Sequence, residues 1–266
     1  RVEVWVTNKS GTTSNTRNII ALPNLGESSS AAPSNNANSL YSDINALTAA
    51  GVRNMDQTSE ILDGNTVGGE VMSGGSTYEK IEKARLLSSS EYTVNSAMGY
   101  ISLKSTLQSD QVLAIAYEYT YGGATFQVGE FSSDKTDVTQ ALIVKSLKNT
   151  NNTPSQKNWQ LMMRNVYYLA SSVQKEKFKL DVKYQSDSAG VYVTYIPEKE
   201  VKSNTIIKLL GADRLDNNNR THPNGYFDFV EGYTISNGRV FFPVAEPFGT
   251  AMYNALRQRG VSDDVA

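Results

Sequence analysis

Two Asn-Gly pairs, Asn224-Gly225 and Asn237-Gly238, fall inside one aromatic-rich stretch that runs from Asp213 to Gly249, DRLDNNNRTHPNGYFDFVEGYTISNGRVFFPVAEPFG. Between strand-like arms such a pair accepts positive φ with little strain, and its turn matches the twist of a two-residue hairpin. The stretch therefore predicts a turn at Asn224-Gly225, a strand over Tyr226–Ile235 and a second turn into Arg239–Val244. Short arms joined by tight turns commit a chain to antiparallel β-structure.

The same grammar recurs upstream. Val2, Val4 and Val6 alternate with Glu3, Trp5 and Thr7, as a half-buried strand does. After the turn Lys9–Asn15, Arg17–Leu22 is expected to return as the second arm of a hairpin, ended by Pro23. Tyr92–Val94 and Tyr100–Leu103 form arms around Asn95–Gly99. Val112–Tyr121 and Thr125–Phe131 are joined by Gly122-Gly123, which suits a primed turn. Tyr92–Phe131 then reads as a four-stranded meander whose inward set includes Val112, Ala114, Ala116, Phe126 and Val128. Phe178–Tyr184 alternates apolar with charged residues, Gln185–Gly190 turns it, and Val191–Ile196 returns to Pro197.

Helices are fewer. Leu40, Ile44 and Leu47 recur at i, i+4, i+7, with Gly51 as a stop, and a second short helix is expected over Gln57–Leu62. Tyr78–Leu87 opens as a helical turn, with Glu79 and Lys83 at i,i+4. Trp159–Ala170 is the strongest helical pattern: Trp159, Met162, Met163, Val166 and Leu169 or Ala170 make one apolar face. Thr250–Gln258 reads as a terminal helix. Thr139–Leu147 fits helix or strand, and Thr205–Leu210 fits helix or extended chain. The fold class is α+β, mostly antiparallel hairpins and meanders with a few helices.

The polar run Asn149–Pro154 marks a boundary between an N-terminal lobe over 1–148 and a C-terminal lobe over 155–260, though one continuous domain also fits. The first lobe carries a polar, glycine-rich insertion at about 27–76. Within it, Asp63–Ser76 reads as a flexible excursion, a linker or a lid. Glu91–Leu103 echoes Gly232–Pro243, both with Tyr-Thr-Val/Ile, a short loop and a second apolar arm. Shared hairpin grammar explains the echo, and so would two related lobes.

Composition narrows function. Twenty-five basic and 27 acidic residues give a net charge of −2 with no long Lys/Arg run, which argues against nucleic acid and anionic lipid as partners. The absence of cysteine excludes disulfides, thiolate metal sites and cysteine nucleophiles. The single histidine, His222, precedes a proline in a polar turn and excludes any site needing two imidazoles. No apolar run approaches the roughly 20 residues of a membrane helix. Arg1 opens directly on the alternating RVEVWVTN, without a signal peptide, as a piece of a longer chain would.

No catalytic constellation is evident. There is no Gly-x-Ser-x-Gly elbow and no P-loop, and naming Asp228 and Glu231 as a glycosidase pair would be arbitrary among 27 acids. No enzymatic activity and no cofactor are expected. For metal, Asp213, Asp216, Asn218 and Asp228, with Glu231, are oxygen donors of calcium type. Arg220 takes the third ligand place of an EF-hand-like run and His222 stands where its glycine would be, so the acid-and-Asn run also fits a solvated turn. For contacts, alternation puts Tyr117, Tyr119 and Tyr121 on one face, opposite Ala114, Ala116 and Glu118. That face could meet protein or glycan, and tyrosine on a half-exposed sheet face is also ordinary strand composition.

Four ordered blocks go further: YEKIEKARLLSSSEYTVNSAMGYISL, VLAIAYEYTYGGATFQVGEF, WQLMMRNVYYLASSVQKEKFKLDVKY and GYFDFVEGYTISNGRVFFPVAEPFG. With the opening VEVWVTN, they make the chain resemble the SprA family, called Sov in oral species, from Val2 to about Gly249. Ser29–Asn38 and the glycine-rich loop match it least. That family is the giant outer-membrane translocon protein of the Bacteroidota type 9 secretion system, tied to protein secretion and gliding motility. The resemblance implies a large barrel that exports folded cargo, without enzymatic activity or cofactor. It implies partners in the rest of the barrel, in secreted cargo and in other type 9 subunits. The strands here are shorter than the ~9–11 residues of a barrel strand, and helices and polar loops intervene. The segment is therefore expected to be a non-spanning domain of the cap or vestibule. Because long loops of such barrels are extracellular, the cell-surface side is favoured over the periplasmic side. The rival expectation is a free-standing cell-surface adhesin or glycan-binding module.

Overall fold

The computed structural model describes residues 1–28, 32–96, 98–185 and 190–266. The chain is α+β, its strands mostly antiparallel, and it divides into two units, Arg1–Met162 and Met163–Ala266.

In the first unit the order is β1 (Val2–Val6), β2 (Thr16–Leu22), α1 (Leu40–Ala46), α2 (Met55–Leu62), β3 (Thr66–Val67), β4 (Glu70–Val71), β5 (Glu79–Leu86), β6 (Tyr92–Asn95), β7 (Tyr100–Leu103), β8 (Leu113–Tyr121), β9 (Ala124–Val128) and β10 (Leu142–Lys148). Five of these strands pair in a closed ring, β1-β5-β2-β10-β8 and back to β1. Only β2 and β10 are parallel, with Ile20 opposite Ile143. β8 closes the ring by pairing Val4 with Ile115, and beyond the ring it carries β9.

The pleat explains the packing: successive side chains leave a strand on opposite faces. One alternate set, Trp5, Ile19, Ala21, Ile81, Ala84, Ala114, Ala116, Leu142 and Val144, comes from all five ring strands and forms one buried cluster. Four alanines leave room for one indole, and Phe131 joins the same cluster beneath the Arg1 guanidinium, 3.8 Å from its ring centroid. The opposite set faces outward and is covered twice. Ile20, Leu22 and Ile143 pack under Leu40 and Ile44 of α1 and Met55 and Leu62 of α2. Val4, Val6, Leu113 and Ile115 pack under the β6–β7 hairpin through Tyr92, Ile101 and Leu103.

Several expectations are corrected. β1 and β2 are not a hairpin, because β5 lies between them: Val6 and Thr16 both oppose Arg85, one on each edge of β5. Residues 79–86 are a strand, not a helical turn. The register of β5 shifts against β2 between Arg17 and Ile19, and Lys83 takes φ +50. That bulge spaces the buried positions Ile81 and Ala84 three apart, which imitates helical periodicity. The meander separates into β6–β7, a sheet of its own, and β8–β9, whose Gly122 and Gly123 have φ of +58 and +83. Of its inward set, Val112, Ala114 and Ala116 join the ring interior and Val128 the helix-covered core. Phe126 stays half-buried, its ring 5.5 Å from that of Tyr119. Thr139–Leu147 resolves to the strand β10.

The glycine-rich excursion is folded. β3 and β4 pair across Gly68-Gly69, and Val67 and Met72 are buried in the helix-covered core. The expected boundary at 149–154 lies inside the first unit. Asn149 is buried and its amide donates to the Ser76 carbonyl at 2.9 Å, while the Thr150 amide and hydroxyl both donate to Glu79 at 2.6 Å.

The second unit contains β11 (Val166–Tyr168), β12 (Tyr184–Gln185), β13 (Tyr192–Val193), α3 (Ile206–Leu209), β14 (Ile235–Ser236), β15 (Arg239–Phe241) and α4 (Thr250–Arg257). β15 pairs with both β11 and β14, and β12 with β13. The helix expected over Trp159–Ala170 is absent. Lys157–Leu161 makes a short 3-10 turn, Met162 and Met163 are exposed, and Val166–Tyr168 pairs antiparallel with Arg239–Phe241. β-branched and aromatic residues at that point favour the ladder over the amphipathic spacing. The core is largely aromatic. Phe178 contacts Phe229 and Phe227, and Phe227 contacts Phe242, all edge-on at 5.0–6.3 Å, around Ile206, Ile207, Ile235 and Val240.

The strand expected over Tyr226–Ile235 shrinks to β14, because Val230–Thr234 is a turn in which the Tyr233 and Thr234 amides donate to the Val230 carbonyl. Asn237-Gly238 is the primed turn, with φ of +49 and +70. The turn expected within Gln185–Gly190 falls partly outside the described residues. The two echoing hairpins lie in different units whose sheets are laid out differently.

Candidate interaction surface

The acidic loop was the first candidate, and its carboxylates are turned onto backbone. Asp213 is buried and accepts from the amides of Asn224 (2.9 Å) and Gly225 (3.2 Å). Asp228 accepts from the amides of Arg214 (2.8 Å) and Leu215 (2.9 Å). One oxygen of Asp216 accepts from the amides of Asn218 and Arg220. Asn218 is exposed and enters this loop through its backbone. Three aspartates thus staple the loop that carries the exposed His222, and Asn224-Gly225 becomes a carboxylate-capped turn instead of a hairpin. Among the described residues no group of three Asp, Glu or His side chains gathers closely enough to hold a metal ion.

The tyrosine face of β8 divides. Tyr117 and Tyr119 pack onto the helix-covered core, their rings 6.1 Å apart, and only Tyr121 is exposed. Burial, with Glu27 nearby, pushes the Tyr117 hydroxyl up to about 12. Two of the three rings are therefore structural.

A polar centre that sequence reasoning missed lies between the helices and the ring. Arg53 and Glu130 are 4% and 3% exposed. Arg53 donates to both Glu130 oxygens at 2.8 Å, to the Ala141 carbonyl at 2.8 Å and to Asn45 at 2.8 Å. Glu130 also accepts from the Tyr41 hydroxyl (2.7 Å) and the Ile143 amide (2.9 Å). Burial alone would raise the Glu130 carboxyl, but Arg53 and these donors hold it below its ordinary range. Burial and the Glu130 carboxylate push Tyr41 up to about 12. The adjoining cleft, about 250 Å³, is lined by Arg17 and Arg53 among others. Both guanidiniums are already engaged, Arg17 by the carbonyls of Lys135 (2.9 Å) and Asp137 (2.8 Å). The centre is an internal clamp. Its one sequence signal is a lone Glu between Val128 and Phe131.

The distribution of tyrosine marks the surface that remains. All eight tyrosines after Met163 are exposed, whereas of the seven before it only Tyr121 is. Tyr233 is 79%, Tyr168 67% and Tyr192 60% exposed. Compared with known proteins, the chain matches no family model and no curated protein. Among the described residues no helix is long and apolar enough to cross a membrane.

Proposed function

We propose that the chain is an interaction and scaffolding domain of an outer-membrane protein-secretion translocon of the SprA/Sov kind. In this reading it belongs to the cap or vestibule on the cell-surface side and is not itself catalytic. The ring of the first unit supplies a rigid body, and the second unit meets cargo or partner subunits. The resemblance of the four sequence blocks supports the translocon. The observation that carries the contact role is the exposure of every tyrosine of the second unit. Such rings supply large, rigid contact area and are enriched among residues that dominate binding energy.

Photo-crosslinkers placed at Tyr168 and Tyr233 in living cells test this, with Lys104 on the first unit as control. Cross-links from the tyrosine positions to secreted cargo or translocon subunits are expected. Removing residues 1–266 in frame should impair cargo release. Silent cross-linkers together with unchanged release would overturn the reading.

A further inference from the structure

The first arm of the β12–β13 hairpin is longer than its pairing. Tyr184 pairs with Val193 and Gln185 with Tyr192, and the pairing does not extend back to Lys183. Continued in register it would set Val182 against Tyr195. Instead the return arm peels away: the Thr194 carbonyl accepts from the Ile206 amide, Tyr195 bridges to Thr205, and Pro197 has no amide to offer. Among the described residues, Lys179–Lys183 make no backbone hydrogen bond on either edge.

Burial over Phe178–Lys183 nevertheless alternates as in a strand. Phe178, Leu180 and Val182 are half-buried on the aromatic core, and Lys179, Asp181 and Lys183 are exposed. The segment is anchored by its inward side chains and, at its start, by the Phe178 amide on the Lys175 carbonyl, while the amides and carbonyls of Lys179–Lys183 find no partner among the described residues. An anchored, unpaired strand is a template for strand addition. Its outward charge selects the occupant. Among the described residues of the segment, the outward positions are Lys179, Asp181 and Lys183, with Asp181 3.3 Å from Lys179, and Lys177 is exposed in the turn just before them. A second copy adding through the same edge would bring lysines against lysines, which disfavours self-association.

We propose that Phe178–Lys183 is a docking edge for an extended polypeptide segment whose outward side chains are acidic, bound by strand addition. The inference stands on this geometry and is independent of the translocon reading.

The test uses the whole 266-residue chain and a short synthetic peptide alternating Val and Glu. Saturable binding is expected, with new hydrogen-exchange protection confined to Lys179–Lys183 and the adjoining hairpin. A peptide of the same sequence with alternate amides N-methylated keeps its charge but cannot form the ladder. It should bind about tenfold more weakly or worse. The triple variant Lys177→Glu, Lys179→Glu, Lys183→Glu, all at exposed positions, should lose the acidic peptide and gain a Val/Lys peptide. Equal binding of the methylated peptide would reduce the site to charge attraction and overturn strand addition. Absence of saturable binding, or amides of Lys179–Lys183 already protected in the free chain, would overturn it as well.

Discussion

The Arg53 guanidinium and the Glu130 carboxylate face each other through two parallel hydrogen bonds of 2.8 Å, both side chains shut away from water. The pair fastens the turn before α2 to the segment leading into β10. The exposed Lys135 also reaches Glu130, at 3.2 Å, so removing Arg53 leaves the carboxylate one cation, whereas removing Glu130 strands the Arg53 guanidinium, at a cost of about 3–5 kcal/mol. Arg53→Met and Glu130→Met should each lower the urea midpoint, Glu130→Met the more. Arg53→Met combined with Glu130→Met should recover a large part of the loss. Single losses that simply add in the double variant would show that the two residues are not coupled.

The pair also sets an acid limit. The folded Glu130 carboxyl titrates below its ordinary 4.5, so its contribution is complete above that pH and disappears as pH falls through the lower folded value. Unfolding midpoints measured across this range should drop for the native chain. Glu130→Gln should flatten that part of the curve.

At the alkaline end the sign reverses. Tyr41 and Tyr117 are held up to about 12 from an ordinary 10.0. Between those values the folded chain keeps protons that the unfolded chain releases, so stability falls as pH rises. Phenolate absorbance should show a late-titrating fraction, and Tyr41→Phe should remove part of it. A single step near the ordinary value for all tyrosines would contradict the burial of these two.

Gly238 combines φ +70 with a carbonyl that receives the amides of Leu169 (2.8 Å) and Ala170 (3.2 Å). A Cβ there would overlap the Ala170 carbonyl oxygen. Gly238→Ala should cost more than the roughly 1 kcal/mol of an ordinary glycine replacement in strained backbone. Hydrogen exchange should locate the damage in β11, β14 and β15 and leave the ring strands protected.

The acidic loop gives a direct metal test. Because Asp213 is committed to the amides of Asn224 and Gly225, calcium and chelator should leave the melting temperature unchanged. Asp213→Ala should destabilise by about 1–3 kcal/mol, as loss of a buried charge-assisted acceptor does. A calcium-dependent rise in melting temperature, abolished by Asp213→Ala, would restore the metal reading.

The sequence made local structure legible where a single signal governed it. Leu40 and Ile44, the Gly122-Gly123 turn, the Asn237-Gly238 turn and the helix from Thr250 all follow from spacing or turn chemistry. It misled where two signals competed. The bulge at Lys83 gave β5 a helical spacing, and the amphipathic run from Trp159 gave way to pairing with a strand more than seventy residues away. Ring closure has no local signature at all. Nor does the clamp, since Arg53 and Glu130 are ordinary charges until the fold joins them across 77 positions. Fifteen tyrosines can be counted in the sequence, but their segregation into buried or half-buried and exposed sets required the solvent boundary.

Closure of the ring has a consequence in time. β1 waits for β8, and β2 waits for β10, partners more than a hundred residues further along the chain. A chain emerging N-terminus first can pair β1 and β2 with β5 once residue 86 has followed, but it cannot close the ring over Trp5 and Ile19 until about residue 148. Contacts this distant make for slow folding. Closure of the ring is thus the late step of the first unit, and any partner that shields the open edges of β1 and β2 in the interval would govern its yield.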